Sequence, residues 1–494
     1  MEVNILKKVP TPIIDALQKY TDDKIIRFHM PGHKGNNVIH ASIRKLLGTK
    51  PFRADVTNVQ GMDDLHKPQG IIRLAEKLAA ETFGADFSYF LINGSSCGLQ
   101  ALVLTICNSG DKILVPRNIH RSVLSGIILS GAIPIFYLPE YNTDYGIFMG
   151  TTPEVIRYHL ETTPGIKTVL VVSPTYNGIT SDIKSITEIS QEYGVPVVVD
   201  EAHGPHLRFH EGLPTSALEQ GAAAVVHGTH KLLSSFTQAS MLHVKSNHID
   251  KEKLAAILKL LQSTSTSYIL LASLDAARAQ MEENGRNLID DALNISMLLR
   301  AEMMNLKGIR TFGPEIIGNW GVAGLDPTKI TISFKEYGVS GFWIEEQLRH
   351  EYGIQVEMAD LFNILLLITF GNTKKDVQSF LHSLEKMLPI IQSAPEESRL
   401  NTELAKINVF SSLPEAVASP RDAFFAAKKL VPLEDAAGKI CGEAVACYPP
   451  GIPIICPGER ITSQIVEYLL VIRNLGAHFQ SCYNNELSFI SVLQ

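Results

Sequence analysis

Between Ile71 and Phe83 the apolar residues Ile71, Ile72, Ala75, Leu78, Ala79 and Phe83 recur at helical spacing, which predicts a helix with one buried face. Downstream the pattern changes. Short apolar runs alternate with stretches of helical period such as Ile183–Tyr193. The runs are SYFLI (88–92), KILVP (112–116), IPIFYL (133–138), TVLVV (168–172), PVVVD (196–200) and AAVVHG (223–228). This alternation predicts an α/β fold, a mostly parallel sheet with helices on both faces. Ligands of such sheets bind beyond the carboxyl ends of the strands. A long helical region is expected from about Asp250 to Leu306, and a smaller mixed segment contains KITISF (329–334) and ILLLITF (364–370). The polar stretch QSAPEESRLNTE (392–403) reads as a linker. The expected organisation is an irregular arm (1–50) with HMPGHKG (29–35) as a loop, a large domain (51–290) and a small α/β domain (291–391). A linker (392–408) and a separate C-terminal α+β domain (409–494) complete it.

Composition narrows the class. With 45 % apolar and 19 % charged residues in a chain of 494, this is an ordinary globular composition. A net charge of −7 disfavours broad electrostatic binding to nucleic acid or to an acidic membrane. There is no long uncharged apolar run, and MEVNILKKVPTPIID has no signal-peptide core. Cys97, Cys107, Cys441, Cys447, Cys456 and Cys482 show no CxxC spacing, so a reduced cytoplasmic setting is expected and a cysteine zinc site is not.

The stretch VPVVVDEAHGPH (195–206) ends an apolar run in Asp-Glu-Ala-His. A nucleic-acid helicase would also need a G-x-x-x-x-G-K-[ST] loop, and the chain contains none. A metal reading would use Glu201, His203, His206 and His210. Gly204-Pro205 breaks any helix that could align them, and loop hydrogen bonds explain these residues better. A third reading draws on three separate strand ends. NGSSCG (93–98) opens a helix, where backbone N–H groups and the helix dipole suit a phosphate. Asp200 ends one strand, and THK (229–231) follows another. A phosphate cradle, a carboxylate and a lysine are the parts that hold pyridoxal phosphate.

These residues belong to longer stretches with a family resemblance: HMPGHKG (29–35), DDLHKPQGII (63–72), FGADFSYFLINGSS (83–96), PRNIHRS (116–122), SPTYNGITSD (173–182), DEAHG (200–204), THKLLSSFTQAS (229–240), STSTSYILLASLD (263–275), PRDAFF (420–425) and YPPGIPIICPGE (448–459). Across nearly its whole length the chain resembles the bacterial Orn/Lys/Arg decarboxylases, pyridoxal-phosphate enzymes of fold type I. It is more similar to their compact biosynthetic form than to the acid-inducible form with an added wing domain. The resemblance implies a seven-stranded-type sheet and decarboxylation of arginine, lysine or ornithine, with arginine favoured. It makes Lys231 the Schiff-base lysine and Asp200 the partner of the pyridine nitrogen. Ser95 and Ser96 become the phosphate-binding pair, His120 the residue stacked on the ring, His230 a neighbour of the phosphate, and Ala202 and His203 neighbours of the ring. It puts Glu459 at the distal, cationic end of the substrate. It implies a homodimer or a dimer-based oligomer in which Thr264, Ser265 or Thr266 reaches the partner's cofactor. The chain departs from the family pattern at Gly228, where serine is usual, at Asn58, where glutamate is common, and in its SSCG loop. Another fold-type-I enzyme (aminotransferase or aldolase type) and an inactive regulatory paralogue are the alternatives.

Overall fold

A computed structural model describes residues 9–23, 25–36, 38–396, 399–400, 409–481 and 486–494. Residues 397–398 and 401–408 of the expected linker, and Cys482, lie outside them. The first 50 residues are not wholly irregular. They contain α1 (Pro12–Asp22) and α2 (Ala41–Leu47), and α3 (Lys50–Ala54) follows. Helix α1 has proline in its first turn and buries Ile13, Leu17 and Tyr20. Three apolar positions on so short a helix are a weak periodic signal. The neighbouring surface of α4 (Ile71–Phe83) completes their burial. The HMPGHKG segment remains a loop.

The central sheet is built in chain order from β1 (Phe87–Leu91), α5 (Gly94–Ile106), β2 (Lys112–Pro116), α6 (Arg121–Ser130) and β3 (Ile133–Tyr137). A small hairpin, β4 (Tyr141–Asn142) and β5 (Ile147–Phe148), leads to α7 (Pro153–Thr162) and β6 (Ile166–Val172). After β7 (Ile179–Thr180) come α8 (Ile183–Glu192), β8 (Val197–Asp200), β9 (Ala224–His227), the short α9 (Thr229–Leu232) and β10 (Ser240–Val244). The seven strands lie in the order β1-β10-β9-β8-β6-β2-β3, with only β10 antiparallel to its neighbours. The polar residues of SMLHV obscure β10 as a strand in the sequence. One of them finds its partner across the sheet, where His243 pairs with Ser88 at 2.6 Å from Ser88 Oγ to Nδ1.

Burial on both faces explains the continuous apolar strands. Leu170 and Val198 face α5, α6 and α10 (Lys251–Leu261), while Val169, Val171, Val197 and Val199 face α7 and α8. The expected long helical region is two helices, because residues 262–267 interrupt it before α11 (Tyr268–Met303). Helix α11 runs through the expected boundary at 290/291. Its first half packs with α4. Beyond β11 (Gly324–Leu325), which pairs with β7, Ile295, Leu299 and Met303 pack with a small sheet of β12 (Lys329–Ser333), β13 (Met358–Ala359) and β14 (Asn363–Leu367). A further apolar cluster, including Val445, Ile455, Leu469 and Ile490, fills the C-terminal segment. Among the described residues no helix is long and apolar enough to cross a membrane.

Candidate active site

The carboxyl ends of β1, β2, β6, β8 and β9 converge on one cavity lined by Ser95, Asn118, His120, Thr175, Tyr176, Asp200, Ala202, His203, Lys231 and, from the C-terminal segment, Ile452. At the end of β1 the chain turns into α5 through Gly94, whose φ of 78° is left-handed. That turn leaves the first N–H groups of α5, around Ser95 and Ser96, without intrahelical acceptors. Asp200 is buried at the tip of β8, where its Oδ1 accepts from Ala202 N at 3.2 Å. Burial raises its carboxyl pKa and the charge of Lys231 opposes the rise.

Lys231 sits on α9, in the connection between the adjacent strands β9 and β10. Its Nζ lies 2.7 Å from His203 Nε2 and 5.0 Å from the centre of the Tyr176 ring. Burial lowers the lysine pKa, and Asp200 and Glu357 hold it up. Burial and the neighbouring lysines keep His203 neutral, so its Nε2 is the acceptor for Lys231. The His203 ring packs 3.9 Å from that of Tyr176. His120 caps α6, accepts from Ser122 N, and is pushed down to about 3 by burial and by Lys231.

Behind His203 lies a buried polar group that the sequence did not single out. Lys329 Nζ, fully buried on β12, donates to His203 O at 2.8 Å and pairs with Asp326. Asp326 Oδ2 is also 2.9 Å from His206 Nε2. Asn118, Thr175 and Tyr176 also line the cavity, and they stand within the PRNIHRS and SPTYNGITSD motifs that carry the resemblance. The histidines around DEAHG take separate partners: Glu201 meets His227 at 2.8 Å, and His210 meets Asp290 at 2.8 Å.

Ser96 and Gly228 adjoin the site without lining the cavity, Ser96 next to Ser95 and Gly228 accepting at its carbonyl from Lys231 N at 2.8 Å, and three further groups of expected site residues lie elsewhere. Glu459 does not line the Lys231 cavity, so its expected place at the distal end of the substrate needs correction. Its Oε2 is 2.9 Å from Arg117 Nη2 and accepts from Cys456 N at 2.7 Å, with both side chains almost fully buried. The physical reason is Arg117. Its guanidinium is sealed in the interior after β2 and requires a counter-charge, and Glu459 is that charge. His230 is not among the lining residues of the cavity, and its Nδ1 is 3.0 Å from Ala239 O. Thr264 and Ser265 are exposed and Thr266 is buried, on the loop before α11 and outside this cavity.

Gly228 has a steric explanation. A Cβ there would lie 2.8 Å from Ala202 O and 2.9 Å from Lys231 Cδ, so the usual serine does not fit this arrangement. A second cavity of about 120 Å³ adjoins the first and shares Asn118, Thr175, Tyr176 and Ile452 with it. Its walls include Tyr141, Phe148, Phe342, Phe410 and Tyr468, and its one carboxylate is Asp360.

The residues present fit pyridoxal phosphate. Asn118 Oδ1 and His203 Nδ1 are buried without partners at the cavity, so polar capacity is left for a ligand. An amine, a carboxylate and a helix N-terminus match the aldehyde, ring nitrogen and phosphate of that cofactor.

Comparison with known proteins gives the same picture. The model of the Orn/Lys/Arg decarboxylase major domain matches residues 11–376, and that of the C-terminal domain of the same enzymes matches residues 403–485. An arginine decarboxylase of Bacillus subtilis is 38 % identical over 484 residues, covering 98 % of each chain. One of Bacillus anthracis is 40 % identical over 465 residues, covering 94 % of this chain and 93 % of that one. The crystal structure of the Francisella novicida lysine decarboxylase LdcF superposes with a TM-score of 0.83 at 25 % identity, over 99 % of this chain and 82 % of the other.

Proposed function

The chain belongs to the Orn/Lys/Arg decarboxylase family, and from that premise we propose that it converts arginine to agmatine and CO2 at the Lys231 cavity. It is a pyridoxal-phosphate-dependent decarboxylase of basic amino acids. The observation that carries the site assignment is the meeting of Lys231, Asp200, His120 and His203 in one enclosed place from three separate stretches of chain.

When bound, pyridoxal phosphate supplies a ring that accepts the electron pair left on the substrate's Cα as CO2 departs. The protein's own groups prepare that place. Ser95, Ser96 and the first turn of α5 hold the phosphate. Asp200 favours a protonated ring nitrogen, and His120, Ala202 and His203 bound the ring. Burial shifts Lys231 toward its free-base, nucleophilic form, and neutral His203 orients the amine by accepting its hydrogen bond. Ile452 and Tyr176 help to keep water out.

The choice of arginine is supported by the names of relatives that are 38–40 % identical. An adjoining aromatic corridor with one carboxylate suits an aliphatic chain that ends in a cation. Asp360 replaces Glu459 as the proposed partner of that cation. A homodimer is part of the same reading. Ile26, Phe28, Val38 and Leu46 are 82 %, 91 %, 88 % and 79 % exposed, an apolar surface suited to a second subunit. The Thr264–Thr266 loop would then serve the partner's site. Separate apolar clusters support the proposed large, small and C-terminal domains, and free, mostly buried cysteines fit a cytoplasmic location.

The test is to incubate the purified protein and cofactor separately with arginine, lysine and ornithine and identify the amine by mass spectrometry. Agmatine is expected. Cadaverine or putrescine as the main product would overturn the substrate assignment, and a keto acid or aldehyde without amine would overturn the reaction.

A further inference from the structure

A separate cavity of about 290 Å³ lies among α4, β1 and α10, and it shares no lining residue with the Lys231 cavity. Glu76 lines it and is 2 % exposed. Its Oε1 accepts from Phe90 N at 3.2 Å, while its Oε2 is buried and meets no hydrogen-bond partner. An orphaned oxygen at a cavity wall is costly unless something occupies the space.

The charge around it selects the occupant. Arg73, Lys251 and Lys259 line the same cavity, with Lys251 Nζ 3.8 Å from the centre of the Phe87 ring. Burial lifts the Glu76 carboxyl to about 8 and the Tyr89 phenol to about 12, so both are neutral O–H donors near neutral pH. The nearby carboxylate of Asp63 is engaged by the backbone N–H groups of Gln69, Gly70 and Ile72. The wall therefore offers positive charge and neutral donors, which repel a cation and suit an anion.

We propose that this cavity binds a small molecule bearing an oxyanion, phosphate or carboxylate, with Glu76 and Tyr89 as donors and Arg73, Lys251 and Lys259 as counter-charge. Its occupancy bears on the cofactor cradle. Gln262 lines the cavity and its Oε1 accepts from Ile92 N at 2.8 Å, one residue before the Asn93–Ser96 turn. His66, also in the lining, is 2.9 Å from Ser263 O through Nε2, and Ser263 N donates to Asn93 Oδ1 at 3.4 Å. The cavity thus touches residues that brace both the phosphate cradle and the 263–267 loop. This coupling, unlike the binding itself, rests on the decarboxylase reading.

Calorimetric titration of the cofactor-loaded protein with pyrophosphate and, separately, citrate tests the site and distinguishes the two oxyanion sources. Saturable binding of at least one probe, one per chain, is expected. Arg73→Gln/Lys259→Gln should weaken it at least tenfold. Glu76→Gln, which keeps a donor, should change it less than threefold. Lys253→Gln, on the same helix but outside the cavity, should leave it unchanged. No saturable binding of either probe, or equal binding by the double variant, overturns the site. A double variant that alters dimer dissociation instead of probe binding also overturns it, because a second subunit would then be the occupant. Calorimetry reads no turnover, so failure here is distinct from failure of the decarboxylase assignment. The coupling predicts that the probe changes the cofactor's release rate, and an unchanged rate refutes it.

Discussion

Glu459→Gln should loosen the C-terminal segment while leaving substrate affinity almost unchanged. Arg117 makes its charged contact with Glu459 Oε2 at 2.9 Å, and its other contacts are neutral, to Ile454 O at 3.0 Å and Cys456 Sγ at 3.0 Å. The two side chains are 2 % and 4 % exposed, so solvent does little to screen the pair. Removing one member strands a buried guanidinium, and such losses run to about 3–5 kcal/mol. At about 1.4 kcal/mol per tenfold, the folded-to-unfolded ratio of that unit should fall by roughly two to four orders of magnitude. Urea unfolding monitored by proteolysis of the C-terminal segment measures the loss, and initial rates against amino-acid concentration measure KM. Arg117→Leu/Glu459→Leu removes both charges together and should recover most of the stability, because a buried pair often contributes little beyond an apolar replacement. A Glu459→Gln protein with normal unfolding and a tenfold higher KM would refute this reasoning and return Glu459 to the substrate.

Lys231→Ala should retain its fold by circular dichroism, lose more than a thousandfold in kcat, and no longer fix pyridoxal covalently on borohydride treatment. Gly228→Ser should release cofactor at least threefold faster in a dialysis assay, because its Cβ would crowd Ala202 O and the Lys231 side chain; slower release would contradict that account. Burial raises Asp360 to about 6, so its negative charge is lost as pH falls through that value; KM for arginine should therefore rise below pH about 6, and Asp360→Asn should abolish the rise. Lys231→Ala chains mixed with chains carrying alanine at 264–267 should regain part of their activity once subunits exchange, and confirmed exchange without activity would refute shared sites.

The sheet was legible because both its faces are covered, so its parallel strands are nearly unbroken in apolar residues. Strand β10 was less legible, because Ser240 and His243 lie in its interior and one of them is satisfied only by a residue on another strand. Helix α1 was hidden for a related reason: its three buried residues acquire meaning from α4, distant in sequence. Within the site, Lys231 and Asp200 could be found because each follows or ends an apolar strand. Lys329 gave no such signal, since a lysine opening a strand looks solvated until Asp326 and His203 close around it. Glu459 misled for the opposite reason. Its motif was recognisable, but the burial of Arg117, which determines its partner, has no mark in local sequence.

Ile452, in the wall of the Lys231 cavity, has a bearing on how the protein comes into being. A ribosome releases the lysine, the aspartate and the helix that cradles phosphate long before it releases this residue. Domains tend to fold in order of emergence. Until the segment that bears Ile452 docks, the nascent chain carries a reactive amine in an open basin. Maturation of the pocket is therefore coupled to translation through Ile452, and a ribosome that stalls before that residue would leave a folded sheet with an unsealed pocket.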